Sequence, residues 1–219
     1  MQTDASKEIL VHIPVDGVTL EGALAIPAKA QGLVLFVHGS GSSRFSPRNN
    51  FVARELRNAG LGTLLIDLLT RIEDQDYERR FDIPLLTQRV RSVTDWLRAQ
   101  PQTKHLALGY FGASTGAAAA LQAAADPGSK VNAVVSRGGR PDLAGAQALG
   151  QVRCPVLLIV GGNDDIVIEL NQQADARLVC PKELVIVPGA THLFEEPGTL
   201  EQVAALAATW FLRHLGIAK

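Results

Sequence analysis

Short, continuous apolar segments alternate with helical stretches along most of this chain. The apolar segments lack period-two alternation, as is typical of strands that are covered on both faces. Strand-helix alternation of this kind predicts a parallel sheet with right-handed crossovers. The predicted strands are residues 33–37, 62–66, 106–111, 131–135, 156–160 and 184–187. The predicted helices are residues 50–59, 85–99, 115–125, 166–178 and 199–215.

The N-terminal part of the chain adds an antiparallel element. Residues 9–13 and 18–26 are β-rich, and Asp16-Gly17 between them is typical of a hairpin turn because glycine tolerates positive φ. The chain has 219 residues, of which 47% are hydrophobic, a size and composition that suit one α/β domain. We therefore expect a single domain, residues 1–219, with a mostly parallel eight-stranded sheet and an antiparallel N-terminal strand.

Charge and cysteine content argue against several kinds of partner. The formal net charge of -1 provides no basic surplus, so we expect no nucleic-acid partner and no membrane partner. The sequence has no signal-peptide pattern and no apolar segment of about 20 residues, which predicts a cytoplasmic protein. Cys154 and Cys180 are expected to be reduced thiols. No metal-ligand cluster and no phosphate-binding loop is recognisable, so we predict no metal and no cofactor.

The pentapeptide Gly112-Ala113-Ser114-Thr115-Gly116 matches G-x-S-x-G. The pattern alone is weak, but here it lies directly between a predicted strand and an alanine-rich helical stretch. In that setting, a strained strand-to-helix turn lifts the serine hydroxyl clear of the sheet, and the flanking glycines allow the helix to approach the strand closely. The sequence therefore predicts Ser114 as a catalytic nucleophile.

A serine hydroxyl is a poor nucleophile near neutral pH, so a base must take its proton. His192 follows the last predicted strand and precedes the C-terminal helix, where an imidazole could reach the serine. Asp164, in the loop after residues 156–160, is the expected acid that orients the imidazole. Asp165 is the alternative, although its position better suits a helix N-cap or a first-turn acid.

Attack on a carbonyl builds negative charge on its oxygen, which preorganised donors must stabilise. The backbone N–H of Thr115, directly after the nucleophile, is one expected donor of this oxyanion hole. The segment His38-Gly39-Ser40-Gly41 follows the third strand, and the backbone N–H of Ser40 is the expected second donor, with Gly41 the next candidate. His38 is then expected to support the loop structurally. The alternative interpretation of this segment is a simple Gly/Ser turn.

Several arginines follow predicted strands, in loops expected near the serine. A guanidinium binds a carboxylate or phosphate well, so Arg44, Arg137 and Arg140 could hold an anionic substrate. The alternative is that these arginines pair with loop carboxylates as scaffolding. We predict Gly41, Arg44, Arg137 and Arg140 as substrate-binding residues.

The Gly112–Gly116 and His38–Gly41 segments, Gly161-Gly162-Asn163-Asp164 and Ala190-Thr191-His192 together resemble the α/β-hydrolase superfamily over essentially the whole chain. The order Ser, Asp, His is also that of the superfamily. The chain is most similar to dienelactone-hydrolase-like proteins, although dienelactone hydrolases proper have a cysteine where this chain has Ser114. The resemblance implies a three-layer α/β-hydrolase sandwich. Residues 136–153 are too few for a cap domain, which implies an open site.

These features predict a carboxylesterase-type serine hydrolase that cleaves small or short-acyl carboxylic esters through an acyl-enzyme on Ser114. One alternative is a lactonase or acyltransferase that uses the same triad. Another is a non-catalytic ligand-binding protein on the same fold. The expected partner is a small-molecule ester or lactone, and the chain is expected to be a monomer or a homodimer.

Overall fold

The computed structural model describes residues 7–216 and contains one eight-stranded sheet. The strands are β1 (Ile9–Val15), β2 (Val18–Ala25), β3 (Leu33–Val37), β4 (Gly62–Ile66), β5 (Leu108–Ala113), β6 (Ala133–Arg137), β7 (Val156–Gly161) and β8 (Lys182–Val187). Their order in the sheet is β1-β2-β4-β3-β5-β6-β7-β8. β2 is antiparallel to β1 and β4, and all the other pairs are parallel. The predicted fold class is confirmed.

Six α-helices connect or flank the strands. They are α1 (Pro47–Asn58), α2 (Ile83–Ala99), α3 (Thr115–Ala124), α4 (Ala146–Gln151), α5 (Asp165–Arg177) and α6 (Thr199–Leu215). Helix α1 begins earlier than predicted because Ser46 caps it and Pro47, whose fixed φ suits a helix start, is its first residue. Between β6 and β7 the chain forms only a short 3-10 turn and α4, so this connection carries no cap domain, as predicted.

The sheet is covered by helices on both faces, which explains the absence of alternation in its strands. Leu35 and Val134 lie in the core shared with α2, α3, α4 and α5, whereas their neighbours Phe36 and Val135 lie in the core shared with α1 and α6. Helix α3 is lined with buried alanines, whose small side chains permit close packing on the sheet. Successive residues of a central strand are therefore buried on opposite sides.

Two central strands, β5 and β6, begin two residues later than predicted and extend two residues further at their C-terminal ends. Gly112 and Ala113 of β5 pair with Ser136 and Arg137 of β6. The strand was predicted to end at residue 135, with Arg137 in the following loop, but Ser136 and Arg137 are both buried at the end of β6. This extension brings Arg137 alongside the strand end that precedes Ser114.

Both cysteines are free thiols, as expected. Burial is the main cause that raises the pKa of Cys154, to about 12, and it also raises the pKa of Cys180. Within residues 7–216, no helix combines the length and apolar character needed to cross a bilayer.

Candidate active site

Ser114 lies at the turn between β5 and α3 with a strained backbone. Its φ of 50° and ψ of -125° are unfavourable for a residue with a side chain. Three backbone hydrogen bonds hold this conformation: the Ser114 N–H donates to the carbonyl of Arg137 over 3.4 Å, and the Ser114 carbonyl accepts from the N–H groups of Arg140 and Ala117 over 3.0 and 3.1 Å. The connection that follows β6 thus fixes the turn that presents the serine hydroxyl.

The glycines of G-x-S-x-G leave no room for a side chain. A Cβ at Gly112 would lie 2.5 Å from the Ala117 Cα, and a Cβ at Gly116 would lie 2.2 Å from the Val37 carbonyl oxygen. The first residues of α3 therefore pack directly on the ends of β5 and β3. Glycines at these two positions allow the tight turn at the serine.

The imidazole of His192 is hydrogen-bonded to Asp164. Nδ1 of His192 lies 2.7 Å from Oδ2 of Asp164, the short distance expected of a strong hydrogen bond. Asp164 is the N-cap residue of α5, but its side chain makes no capping hydrogen bond. Asp165 is the first residue of α5 and is exposed. The structure thus pairs Asp164, and not Asp165, with the imidazole.

The loops that carry this pair are packed against each other. The Asn163 N–H donates to the Ala190 carbonyl over 2.9 Å, and a Cβ at Gly161 would lie 2.4 Å from the same oxygen. The backbone N–H and hydroxyl of Thr191 both donate to Glu196, at 3.0 and 2.6 Å, and these bonds lower the pKa of Glu196. Sequence reasoning missed Glu196 because no motif marks a carboxylate that braces a neighbouring loop.

Arg137, the last residue of β6, and Gly138, which follows it, contact the Ser114 turn and His192 respectively. Arg137 accepts the hydrogen bond from Ser114, and a Cβ at the next residue, Gly138, would lie 3.6 Å from Cε1 of His192. The described residues include no hydrogen bond between the Ser114 hydroxyl and the imidazole. In known enzymes, a hydrogen bond between a serine and a histidine is often long without substrate and tightens when substrate binds.

The loop between β3 and α1 packs against Ser114. A Cβ at Gly39 would lie 2.9 Å from the Cβ of Ser114, and Gly41 has a φ of 67°, which favours glycine. Thr115 is the first residue of α3, where a backbone N–H has no acceptor within the helix. The Ser40 N–H donates to Oγ1 of Thr115 over 2.9 Å, so the second predicted oxyanion donor already has a partner.

His38 supports this loop through both ring nitrogens. Nδ1 lies 2.9 Å from the Gly39 carbonyl oxygen, and Nε2 lies 3.2 Å from the N–H of Leu68. Burial is the main cause that lowers the pKa of His38, which favours the neutral ring. These contacts assign the proton to Nδ1, which donates, and leave Nε2 as the acceptor.

The predicted substrate-binding arginines differ in their partners. Arg44 forms ion pairs with Asp67 and Glu21, and Arg140 forms two hydrogen bonds with Asp142, at 2.9 and 2.8 Å. Arg44 and Arg140 thus pair with carboxylates, as in the alternative interpretation. The bonds to Asp142 raise the pKa of Arg140.

Arg137 has no such carboxylate partner among the described residues. Its side chain is only 7% exposed and donates to Oδ1 of Asn49 over 3.3 Å. Burial, with a smaller contribution from nearby Arg48, lowers its pKa to about 10. A guanidinium of this pKa is still charged near neutral pH, so Arg137 is a buried cation beside the strand end that precedes Ser114.

The β3–α1 loop also borders a small cavity of about 200 Å³. Its lining includes His38, the residues from Ser42 to Phe45, Asp67, Leu69, Arg71 and Asp74. Across residues 7–216, no group of His, Cys, Asp and Glu side chains is arranged to hold a metal ion.

The sheet order, the elbow and the loops around it define an α/β-hydrolase-fold protein. The model of the dienelactone hydrolase family matches residues 20–215, and the chain belongs to that family.

The chain is also similar to proteins of known structure. A dienelactone hydrolase from Anabaena variabilis is 56% identical, with a TM-score of 0.93, and the match covers 96% of this chain and 99% of that one. Est1E from Butyrivibrio proteoclasticus has a TM-score of 0.79 at 17% identity, covering 93% of this chain and 98% of that one. At that identity, the similarity shows the fold alone.

Among curated proteins, the chain is similar to a Mycobacterium tuberculosis H37Rv protein whose name assigns it provisionally to the phosphoribosyl transferases. The two are 58% identical over 205 residues, which is 94% of this chain but 46% of that protein. The chain therefore spans about half the length of the curated relatives it matches.

Proposed function

We propose that this chain is a carboxylesterase-type serine hydrolase that cleaves small or short-acyl carboxylic esters through an acyl-enzyme on Ser114. The observation that carries this proposal is the 2.7 Å hydrogen bond between Asp164 and His192. The His192 ring lies beside Gly138, the residue after Arg137, whose carbonyl accepts a hydrogen bond from the strained turn at Ser114. Asp164, His192 and Ser114 have the chemistry of an acid, a base and a nucleophile in a serine-hydrolase triad.

In the proposed acylation, Oγ of Ser114 attacks the ester carbonyl carbon while Nε2 of His192 takes the hydroxyl proton. The carbonyl π electrons move to oxygen, and the resulting oxyanion collapses as the alcohol leaves with the proton from His192. In deacylation, His192 takes a proton from water as the water oxygen attacks the acyl carbon. The bond between that carbon and Oγ of Ser114 then breaks, His192 returns the proton to Oγ, and the acid is released. Asp164 holds the imidazole with Nε2 toward the serine and stabilises its cationic form.

The proposed preference for small or short-acyl esters is supported by the surroundings of Ser114. The connection between β6 and β7 carries no cap domain that would enclose a long acyl chain. Gly41 is exposed on the β3–α1 loop and remains a proposed contact for substrate.

Arg137 is the predicted arginine best placed to attract an anionic substrate group. Arg44 and Arg140 are already held by carboxylates, whereas Arg137 has no carboxylate partner in the part of the chain that the structure describes. We expect Arg137→Gln to slow hydrolysis of the mono-p-nitrophenyl ester of succinate more than that of the neutral butyrate ester. Equal effects on the two esters would exclude this role.

Lactone hydrolysis is the second candidate function, and family membership favours it. A lactone would form the same acyl-enzyme, but the leaving hydroxyl would remain attached to the acyl group. The name of the mycobacterial relatives belongs to proteins about twice as long as this chain, and we do not extend it to this chain.

The proposal is tested by hydrolysis of p-nitrophenyl esters from acetate to dodecanoate. We expect the wild type to turn over the short esters and Ser114→Ala to lose at least about 10³-fold in kcat, because removal of the nucleophile leaves only residual catalysis. Ser92→Ala on helix α2 is the matched control and should retain full activity. Comparable activity in Ser114→Ala and the wild type would overturn the proposal.

A further inference from the structure

The hydroxyl of Thr115 accepts a hydrogen bond but has a proton left to donate. Ser40 N–H donates to Oγ1 of Thr115 over 2.9 Å, a contact between residues 75 positions apart. Thr115 is only 4% exposed. A hydroxyl can accept and donate at once, and within residues 7–216 no acceptor takes the proton of this one. This buried hydroxyl therefore retains the capacity to donate one hydrogen bond to a bound group.

The position of this hydroxyl indicates which group could accept its proton. Thr115 directly follows the nucleophile, and its backbone N–H belongs to the first turn of α3, where the helix dipole favours negative charge. Gly39, next to Ser40, packs against Ser114. The hydroxyl therefore lies between the loop from β3 and the turn at the serine, on the side where the backbone donors are expected.

We propose that the Thr115 hydroxyl is a side-chain donor of the oxyanion hole and acts together with the backbone N–H of the same residue. This inference rests on the proposed function. As Oγ of Ser114 bonds to the carbonyl carbon and the π electrons move to oxygen, the Thr115 hydroxyl donates to that oxygen, and no proton is transferred. The Ser40 N–H, bonded to the other side of Oγ1, polarises the hydroxyl and makes it a stronger donor. Ser40 thus acts through Thr115 as a positioning residue.

The test compares Thr115→Val, which keeps the shape of the side chain but removes the hydroxyl, with Thr115→Ser, which keeps the hydroxyl. We expect Thr115→Val to lower kcat on the order of 10²-fold, as for loss of one oxyanion donor, with little change in KM. Thr115→Ser should remain within about threefold of the wild type because the donor is retained. Thr94→Val is the matched control, since Thr94 is also buried and hydrogen-bonded but lies in α2 and bonds to Tyr110 and Val90.

An aryl trifluoromethyl ketone separates an oxyanion contact from a purely structural role. This probe forms a tetrahedral adduct with a serine and carries an oxyanion, so Thr115→Val should weaken its binding by about the same factor as kcat. Unchanged inhibitor binding and unchanged kcat in a folded Thr115→Val would overturn the inference. A rise in kcat would overturn it too, because the hydroxyl would then block the Ser40 N–H. If Thr115→Val does not fold, Thr115→Ala is subjected to the same criteria.

The closing control is Ser114→Ala measured beside these variants. If the wild type is inactive or Ser114→Ala is fully active, the proposed function fails and this inference fails with it. If Ser114→Ala is inactive but Thr115→Val is as active as the wild type, the proposed function stands and this inference alone is wrong.

Discussion

At the scale of single residues, the Asp164 carboxylate has two possible hydrogen-bond partners: the backbone of helix α5 and the imidazole of His192. As the N-cap of α5 it could accept from the first turn of the helix, but its carboxylate instead bonds to His192. Asp165 is the first residue of the same helix, where a negative charge is favourable without any contact with the imidazole. Two adjacent aspartates are thus separated in role by the direction of their side chains.

Substitution of these two aspartates should therefore give very different results. We expect Asp164→Asn to lower kcat by roughly 10³- to 10⁴-fold, because the imidazole loses its orienting acid and its preferred tautomer. Asp165→Asn should change kcat less than about twofold, since it alters only a helix-dipole interaction. Ester hydrolysis by the two variants checks this, and equal losses would contradict the assignment of Asp164.

His38 gives a pH prediction at the same scale. Burial lowers its pKa in the folded protein below the unfolded value of 6.5, so the unfolded state binds the proton more readily. Above pH 6.5 His38 is neutral in both states, so it does not make the free energy of unfolding depend on pH. As the pH falls from 6.5 toward the lowered pKa, the free energy of unfolding should decrease. His38→Asn should show a weaker decrease, although it is less stable at pH 7 because the Leu68 N–H loses its acceptor.

Urea denaturation between pH 7 and pH 5 measures this difference. His105→Asn is the matched control, because His105 is exposed, and it should follow the wild-type pH dependence. A His38→Asn profile parallel to that of the wild type would show that His38 does not cause the acid sensitivity.

At the scale of elements, the contact of α3 with the sheet depends on glycine. A Cβ at Gly116 would meet backbone oxygens of β3 and its loop, at Val37 and His38, which cannot move aside like a flexible side chain. We expect Gly116→Ala to destabilise the fold by about 2 kcal/mol or more through overpacking. Gly150→Ala in α4 meets no atom within 4 Å, and we expect it to be neutral or stabilising by up to about 1 kcal/mol.

Urea denaturation of both variants provides the comparison. Equal stability of Gly116→Ala and Gly150→Ala would show that α3 can shift away from β3. The close packing of α3 on β3 would then not be a requirement of the turn at Ser114.

The elements also show what sequence can predict here. Strands covered on both faces are continuous apolar runs, so their number and order along the chain were predictable. The final residues of β6 were missed because Ser136 and Arg137 are polar yet buried. The bond from Ser40 to Thr115 was missed because it joins a loop to a helix 75 positions away in the sequence and depends on one side-chain rotamer. Motifs therefore indicated candidate site residues, whereas the contacts between these residues required the structure.

At the scale of the whole molecule, the sheet brings distant parts of the chain to one edge. Loops that follow β3, β5, β6, β7 and β8 all leave from the carboxyl ends of parallel strands. Residues of all five loops take part in the contacts around Ser114 and His192. Binding sites in open α/β sheets are generally found at this edge.

The most direct test of the central claim, that Ser114 is an activated nucleophile, is mass spectrometry of the protein after treatment with a fluorophosphonate probe. Trypsin releases residues 105–130 as one peptide that contains Ser114. We predict one adduct, on Ser114, that forms in the wild type and is absent from Ser114→Ala. An adduct on another serine, or no adduct on a protein that hydrolyses esters, would contradict the account.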